Sequence, residues 1–356
     1  SECLLAVKFR QVDEDGHVVG GPFNYIEHGM GPKWKWLAKI FAFFGIGVGL
    51  LGIGTFTQVN GISSAVNNFF DSNNAWTVSL FGRTYSWTVV ISCLILTFCV
   101  ALVLIGGIQR ISKVAQVIVP FMAATYFLAG ILIILFNITD VPAAILTIVQ
   151  SAFGLKAAAG GALGAMVVAM QKGIARGIFS NEAGLGSAPI AAAAARTNEP
   201  VRQGLVSMTA TFIDTIIICS ITGIAIVLTG AYDMGLEGVA VTTKAFQIGL
   251  PFPDGVASFI LMLCLVFFAF TTILGWDYYS ERCLEYLTNG KKKCIKAYRW
   301  IYILCVFIGP YMTVSAVWTI ADIFNGLMAI PNLIALIALN GVVVSETNKY
   351  INSLKK

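Results

Sequence analysis

Residues 173–195 read GIARGIFSNEAGLGSAPIAAAAA and lie in a segment, 162–195, that otherwise has the composition of a membrane helix. The stretch contains four glycines together with Arg176 and Glu182. In lipid every polar group needs a partner, so a continuous lipid-facing helix does not tolerate this composition. We predict a span that is broken and lines a polar cavity. In the alternative interpretation, the glycines only allow close helix packing and Arg176 pairs with Glu182.

The predicted break also suggests how a small anion is held. Ser180, Asn181 or Ser187 is placed to cap the second half of the helix, with Pro189 in its first turn. Unpaired N–H groups at such an end attract a carboxylate. Gly177 lies close to the predicted break, where the absence of a side chain allows a ligand to approach the backbone.

The rest of the chain is as apolar as this span. Of its 356 residues, 57% are hydrophobic and only 12% are charged, with a mean hydropathy of +0.82. A soluble domain has about 25% charged residues. Several apolar runs approach or exceed the ~20 residues that cross a bilayer, and the alternation of strands is missing. We predict an all-α multi-pass membrane protein with about eight spanning helices, at 35–70, 86–107, 111–136, 162–195, 203–230, 257–287, 297–311 and 318–344.

The loops indicate how these spans are oriented. Most of the 23 Lys and Arg residues lie in alternate loops on one side, which predicts that this side and the C-terminus are cytoplasmic. The same bias favours one span over 318–344, although Pro331 could divide it. We expect polar connections at 20–31 and 231–255, the second with a short helix near 239–248. The net charge of +5 reflects this topology and indicates no nucleic-acid partner.

Enzymatic and metal chemistry find little support in the sequence. The eight cysteines form no CxxC pair, and most lie in apolar segments, as expected of small buried side chains. The two histidines, His17 and His28, share one polar loop. No nucleophile and base stand together. We therefore expect no enzyme activity, no cofactor and no metal site other than one for sodium.

A second group of polar residues lies in the span 257–287. Residues 268–281 read FAFTTILGWDYYSE. The hydroxyls of Thr271 and Thr272 could serve as oxygen ligands for a sodium ion, with carbonyls of another helix completing the site. Alternatively, both hydroxyls bond to carbonyls of their own helix. Trp276 could close over a ligand or simply fill space.

Two further spans contain polar side chains. Residues 45–61 read GIGVGLLGIGTFTQVNG, where glycines allow close helix contact and Gln58 and Asn60 could bond either an amino acid or another helix. Phe56 and Phe179, with Trp276, could wall a small cavity. Asp214 is the lone acid of an apolar span and could hold a cation or pair with a base.

Four stretches resemble the alanine/glycine–cation symporter family: residues 173–195, GGPFNYIEHGMG at 20–31, FTTILGWDYYSERCLEYL at 270–287, and TFIDTIIICSITG at 211–223. The resemblance covers nearly the whole chain. It implies a leucine-transporter-type fold with two inverted five-helix repeats. Residues 1–356 would form one transporter domain, with 1–10 as the end of core helix 2, 35–136 as core helices 3–5 and 160–345 as core helices 6–10. The N-terminal helices of that fold would then be missing from this chain.

The resemblance also implies a function. It predicts sodium-coupled symport of alanine or glycine across the cell membrane by alternating access, by a protein that acts as a monomer in the lipid bilayer. The substrate would contact Phe56, Gln58, Gly177, Phe179, Asn181 and Trp276. Sodium would contact Thr271 and Thr272, with Asp214 as a further candidate. The alternative is a cation channel whose broken helix forms the filter.

Overall fold

The computed structural model describes residues 1–12, 18–80, 82–106, 108–153 and 161–355. Most of these residues are helical. In the first part of the chain the helices are α1 Glu2–Lys8, α2 Pro22–Asn24, α3 Lys35–Leu51, α4 Phe56–Phe70, α5 Trp87–Ile105, α6 Ile108–Phe136 and α7 Val141–Ala152. The later helices are α8 Ala162–Asn181, α9 Ala188–Ala192, α10 Pro200–Thr211, α11 Ser220–Leu228, α12 Val239–Gly249, α13 Asp254–Thr288, α14 Lys292–Ile308, α15 Val314–Ala338 and α16 Asn340–Leu354.

The helical prediction is confirmed, with two small exceptions. Short antiparallel hairpins pair β1 Gln11–Val12 with β2 Val18–Val19, and β3 Thr77–Leu80 with β4 Arg83–Ser86. Ser86 also begins α5, since its hydroxyl accepts a hydrogen bond from the Thr88 N–H. The β3–β4 hairpin therefore leads directly into a membrane helix.

Six helical stretches of the described residues are long and apolar enough to cross a membrane: Pro32–Phe70, Trp87–Ile105, Arg110–Phe136, Pro200–Leu228, Asp254–Thr288 and Val314–Ala338. The two other predicted spans are helical, but α14 has only 17 residues and α8 contains Lys172 and Arg176. Only 11% of the most apolar 18-residue segment of Pro200–Leu228 is buried inside the protein. So much exposed apolar surface fits a lipid environment, as predicted for a multi-pass membrane protein.

The first predicted span, 35–70, is not one continuous helix. It is interrupted between α3 and α4, at residues 52–55. The Thr55 hydroxyl donates to the Leu50 carbonyl, and the Tyr302 hydroxyl donates to the Gly54 carbonyl at 3.0 Å. A Cβ on Gly54 would lie 2.8 Å from the Cβ of Trp276. The break therefore lets the backbone approach α13 and fixes it there by hydrogen bonds to side chains.

Helix α13 is the centre of the packing and contacts α3, α4, α6, α12 and α14. Glycines on α3 allow the close approach: a Cβ on Gly45 would lie 2.7 Å from the Sγ of Cys283, and one on Gly49 would collide with the Ser280 hydroxyl. This close helix contact confirms what the glycine spacing predicts. It also makes Gly45 intolerant of any larger side chain.

The segment 20–31 is not a polar surface connection. It forms α2 and a π-helical turn, Tyr25–Gly29, and the side chains of Phe23, Tyr25 and Ile26 are completely buried. Its aromatic and aliphatic residues pack under α3, with the Phe23 and Tyr286 rings stacked 5.0 Å apart. The prediction of a polar connection overlooked the apolar residues between the glycines.

Several other helix boundaries differ from the predicted ones. Helix α7 lies between two predicted spans and was missed, whereas α12 forms where a short helix was predicted. Pro331 lies inside α15 without breaking it, and the predicted span 318–344 is instead divided after Ala338. The predicted span 203–230 consists of α10, a π-helical segment Phe212–Cys219, and α11.

Candidate functional site

The predicted break lies between α8 and α9. Helix α8 ends at Asn181, and Glu182, Gly184 and Gly186 all adopt left-handed backbone conformations, with φ of 56°, 86° and 87°. A residue with a side chain, such as Glu182, seldom adopts this conformation without support from its surroundings. The break is confirmed, but it lies several residues beyond Gly177, which sits within the continuous part of α8.

The Glu182 carboxylate bridges the break to α13. Its Oε1 accepts a hydrogen bond from the Trp276 indole Nε1 at 2.9 Å, and its Oε2 accepts one from the Ser187 hydroxyl at 2.5 Å. Ser187 does stand at the N-terminus of α9 with Pro189 in the first turn, as predicted, but its hydroxyl does not cap the helix. The alternative pairing of Arg176 with Glu182 is wrong, because neutral donors hold this carboxylate.

The backbone of the break is held by residues that the sequence analysis did not single out. The Gly184 N–H donates to Glu2 Oε2 at 3.2 Å, and the Gly184 carbonyl accepts from the Asn332 amide at 3.0 Å. The same Asn332 amide donates to Glu2 Oε1, and the Tyr25 hydroxyl donates to the Asn332 carbonyl oxygen. Asn332 is a polar residue inside an apolar run, which is the signal that identified Asp214, whereas Glu2 directly precedes the apolar run 3–7.

Two N–H groups of the break are already bonded to side chains of the protein. The Ala183 N–H donates to the side chain of Asn181, and the Gly184 N–H donates to Glu2. These two N–H groups are therefore not free for a substrate carboxylate, and binding of an anion by the N-terminus of α9 stays a prediction. Helix α9 has only five residues and adds little dipole.

Arg176 forms an ion pair with Asp322 on α15 rather than with an acid of its own segment. Its Nη2 lies 2.5 Å from Asp322 Oδ2, and its guanidinium lies 4.4 Å from the centre of the Trp318 ring. Phe179 completes this group, with its ring centre 4.8 Å from that of Trp318. The Arg176 Nη1 is buried and donates to no group in the described part of the chain.

The predicted substrate residues are distributed over several places. Trp276 is buried against Tyr279 and Glu182, whereas Phe56 packs with Cys305 and Val317 in a separate cluster. Of the three predicted wall residues, Trp276 and Phe179 thus belong to one hydrophobic cluster, and Phe56 belongs to another. Gln58 is half-buried. Asn60, on the same helix, bonds the Met312 carbonyl at 3.1 Å, so its amide is used between elements of the protein.

Thr271 and Thr272 direct their hydroxyls to their own helix. Thr271 donates to the carbonyl of Phe268 at 2.9 Å, and Thr272 donates to the same carbonyl at 3.0 Å. The alternative of bonding within the helix is therefore observed. A hydroxyl that donates still has lone pairs that can accept a cation, so this geometry is compatible with the predicted sodium contact.

Asp214 lies in the π-helical segment and faces α8. Its Oδ2 accepts hydrogen bonds from Ser180 at 2.8 Å and from Thr215 at 3.3 Å, and the Thr215 hydroxyl accepts one from the Asn181 amide at 2.8 Å. Asp214 and Ser180 line a cavity of about 230 Å³, together with Phe268 and Thr242. Thr215 brings Asn181 close to Asp214, and the Phe268 carbonyl accepts hydrogen bonds from Thr271 and Thr272, so the lining of the cavity is connected to these two threonines. π-Helical segments frequently occur at functional sites.

Apolar membrane helices around a polar broken helix define the architecture of a multi-pass membrane transporter. The model of the sodium:alanine symporter family matches residues 1–356, and the chain belongs to that family. It is 51% identical over 357 residues to an uncharacterized transporter of Haemophilus influenzae, covering 100% of this chain and 74% of that protein.

Two other relatives have more specific names. The chain is 43% identical over 365 residues to the sodium/alanine symporter AgcS of Methanococcus maripaludis, covering 100% of this chain and 74% of AgcS. It is 36% identical over 360 residues to the probable sodium/glutamine symporter GlnT of Bacillus subtilis, covering 99% and 69%. Family membership makes this chain a sodium-coupled amino-acid symporter, which confirms the resemblance seen in its sequence.

Proposed function

We propose that this protein carries alanine or glycine together with sodium across the cell membrane by alternating access, as a monomer. Membership of the sodium:alanine symporter family is the observation that carries this proposal. The structure supports it through the polar break between α8 and α9, because interrupted helices form the ligand sites of secondary transporters. The C-terminus is on the cytoplasmic side in this proposal, in keeping with the excess of basic residues there.

Sodium would bind near α13 and the π-helical segment. Thr271 and Thr272 supply hydroxyl oxygens, and Asp214 supplies a carboxylate whose hydrogen-bond donors, among the described residues, are the neutral Ser180 and Thr215. A negative group held by hydroxyls inside the membrane attracts a cation, since lipid offers no other compensation. Movement of one charge through 100 mV is worth ~2.3 kcal/mol, which allows about fiftyfold accumulation of the amino acid per sodium ion.

The amino acid would bind along the face of α8 that leads to the break. Asn181 and Phe179 are on this helix, and a Cβ on Gly177 would meet no atom of the described residues within 4 Å. Trp276, Phe56 and Gln58 would complete the site as the helices rearrange during the cycle. Binding of both ligands to one arrangement more tightly than to the other couples the two movements.

The direct test is uptake of radiolabelled alanine by the full-length protein in liposomes. Uptake should follow an inward sodium gradient and disappear when the gradient is collapsed. Glycine should compete with alanine, whereas glutamine should not. Uptake that is independent of sodium, or currents far above carrier rates that ignore the amino acid, would refute the proposal.

A paired substitution tests the place of the substrate. Gly177→Leu should abolish alanine binding at saturating sodium without lowering thermal stability, because the position is open and leucine favours the helix. Gly164→Leu is the matched control, since Gly164 lies near the start of the same helix and is equally open. Equal loss of affinity in both variants, or no loss in Gly177→Leu, would remove Gly177 from the site.

A further inference from the structure

Asp277 is a buried carboxylate that the proposed transport mechanism does not use. It lies on α13, about a turn and a half beyond Thr272, and only 3% of its surface is exposed. Its Oδ1 accepts a hydrogen bond from no group in the described part of the chain. An ionised carboxylate in such a place costs several kcal/mol unless it gains a partner.

The cations that face Asp277 are already paired with other acids. Arg299 on α14 makes two hydrogen bonds to Glu281, with its Nε at 2.6 Å and its Nη2 at 2.9 Å. Arg282 lies 3.2 Å from Glu281 and 2.5 Å from Glu285. Two arginines are thus engaged by carboxylates one and two turns further along α13, and neither makes an ion pair with Asp277.

The nearby hydroxyls are also engaged. Tyr298 on α14 donates to the Ser280 hydroxyl at 2.5 Å. Tyr302 donates to the carbonyls of Gly54 and Ile273, at 3.0 Å and 2.7 Å. Both tyrosine hydroxyls therefore direct their protons away from Asp277, and neither donates a hydrogen bond to its carboxylate. A proton needs no ligand other than the carboxylate itself.

Among the described residues, the other elements that pack on this part of α13 do so with glycines and apolar side chains. Helix α3 faces it with Gly45 and Gly49, and α4 and α5 pack there with apolar side chains. The groups that face Asp277 are therefore Glu281 and Arg282 on its own helix and Tyr298, Arg299 and Tyr302 on α14. The Arg299 side chain is 32% exposed, so one side of the cluster lies at the surface of the protein.

We propose that Asp277 is a proton-binding site of this transporter, distinct from the candidate sodium oxygens. Its carboxyl group holds a proton while α14 packs on α13 as in this structure. It releases the proton towards the α13–α14 loop when these helices separate and water reaches the group. Because protonation favours one arrangement of the helices, alanine transport becomes dependent on pH.

Infrared difference spectroscopy on the full-length protein tests the proton directly. A titration should show the carbonyl band of a protonated carboxylic acid in the wild type, and Asp277→Asn should lack that band. Glu346→Gln is the control, because it changes an acid to the same amide outside the membrane spans and should keep the band. A wild-type spectrum that Asp277→Asn leaves unchanged would overturn the proposal.

Transport provides the second measurement. The transport measurement rests on the proposed symport, whereas the infrared measurement does not. Failure of the proton site at Asp277 can therefore be distinguished from failure of the proposed symport. Sodium-driven alanine uptake should vary with pH in the wild type and in Glu346→Gln, and Asp277→Asn should retain uptake but lose that variation. Wild-type pH dependence in Asp277→Asn would overturn the proposal. Should that variant not fold, Asp277→Glu must shift the infrared band, and an unshifted band would refute the assignment.

Discussion

Gly186→Ala should damage the break between α8 and α9 by an amount that can be worked out from its surroundings. Its φ of 87° is left-handed, which costs about 1–2 kcal/mol for a residue with a Cβ. The new Cβ would also lie 2.7 Å from both Phe41 Cε2 and Pro22 Cγ. Overpacking of this kind costs typically about 1–3 kcal/mol. We therefore expect a total loss of about 2–5 kcal/mol in the free energy of unfolding.

Two matched substitutions separate these contributions. Gly184 has nearly the same φ, 86°, but the nearest atom to its Cβ is Leu333 Cδ2 at 3.5 Å. Gly184→Ala should therefore cost only the backbone strain, about 1–2 kcal/mol. Gly177 is helical and open, so Gly177→Ala should stabilise the helix by up to about 1 kcal/mol.

The assay is thermal unfolding of the purified full-length protein in detergent, combined with calorimetric alanine binding at saturating sodium. Stability should fall in the order Gly177→Ala, Gly184→Ala, Gly186→Ala. Alanine affinity should fall with it for the two glycines of the break. If Gly177→Ala were as destabilising as Gly186→Ala, the break would not lie where these backbone angles place it.

Three further substitutions test other parts of the structure. Thr271→Val combined with Thr272→Val should raise the sodium concentration for half-maximal uptake at least about tenfold, or ~1.4 kcal/mol; an unchanged sodium dependence would exclude the pair as ligands. Trp276→Ala should lose about 3–5 kcal/mol of stability yet admit leucine as a competitor of alanine; a folded variant that still excludes leucine would assign the size limit to other side chains. The hydrogen bond from Lys8 lowers the pKa of Glu346, so the ion pair stabilises the protein above the ordinary pKa of a glutamate, and this effect is lost as the pH falls through the lowered value. The melting temperature of Glu346→Gln should therefore fall less on acidification than that of the wild type. Equal falls would contradict the ion pair.

Local composition was sufficient to predict the break itself. Glycines and polar residues between 173 and 187 exclude a continuous lipid-facing helix, and that argument needs no knowledge of the neighbours. The exact position of the break within the stretch was harder to predict, because Gly177 and Gly186 look alike in sequence. The folded structure distinguishes them: Gly177 is helical and faces open space, whereas Gly186 has a left-handed backbone and faces Phe41 and Pro22.

Partners far away in the sequence could not be predicted by the same reasoning. Arg176 pairs with Asp322, 146 positions further along, and composition offers no way to prefer that acid to the nearby Glu182. The interruption of the first span at 52–55 depends likewise on Tyr302, which bonds Gly54 from another helix. Spans and breaks follow from local chemistry, whereas the pairing of buried polar groups follows from the tertiary arrangement.

The turn between α8 and α9 is fastened to three separate helices, through Trp276 on α13, Asn332 on α15 and Glu2 on α1. Such a turn cannot change shape one bond at a time, because losing one partner leaves a buried polar group exposed to lipid or apolar side chains. In the proposed transport cycle, the helices would therefore have to move together, in one concerted step between two discrete arrangements. Side chains flip in picoseconds to nanoseconds, but collective steps of this kind take microseconds to milliseconds. In the proposed mechanism, rearrangement of this turn would then be the rate-limiting step, and it would set the number of transport cycles per second.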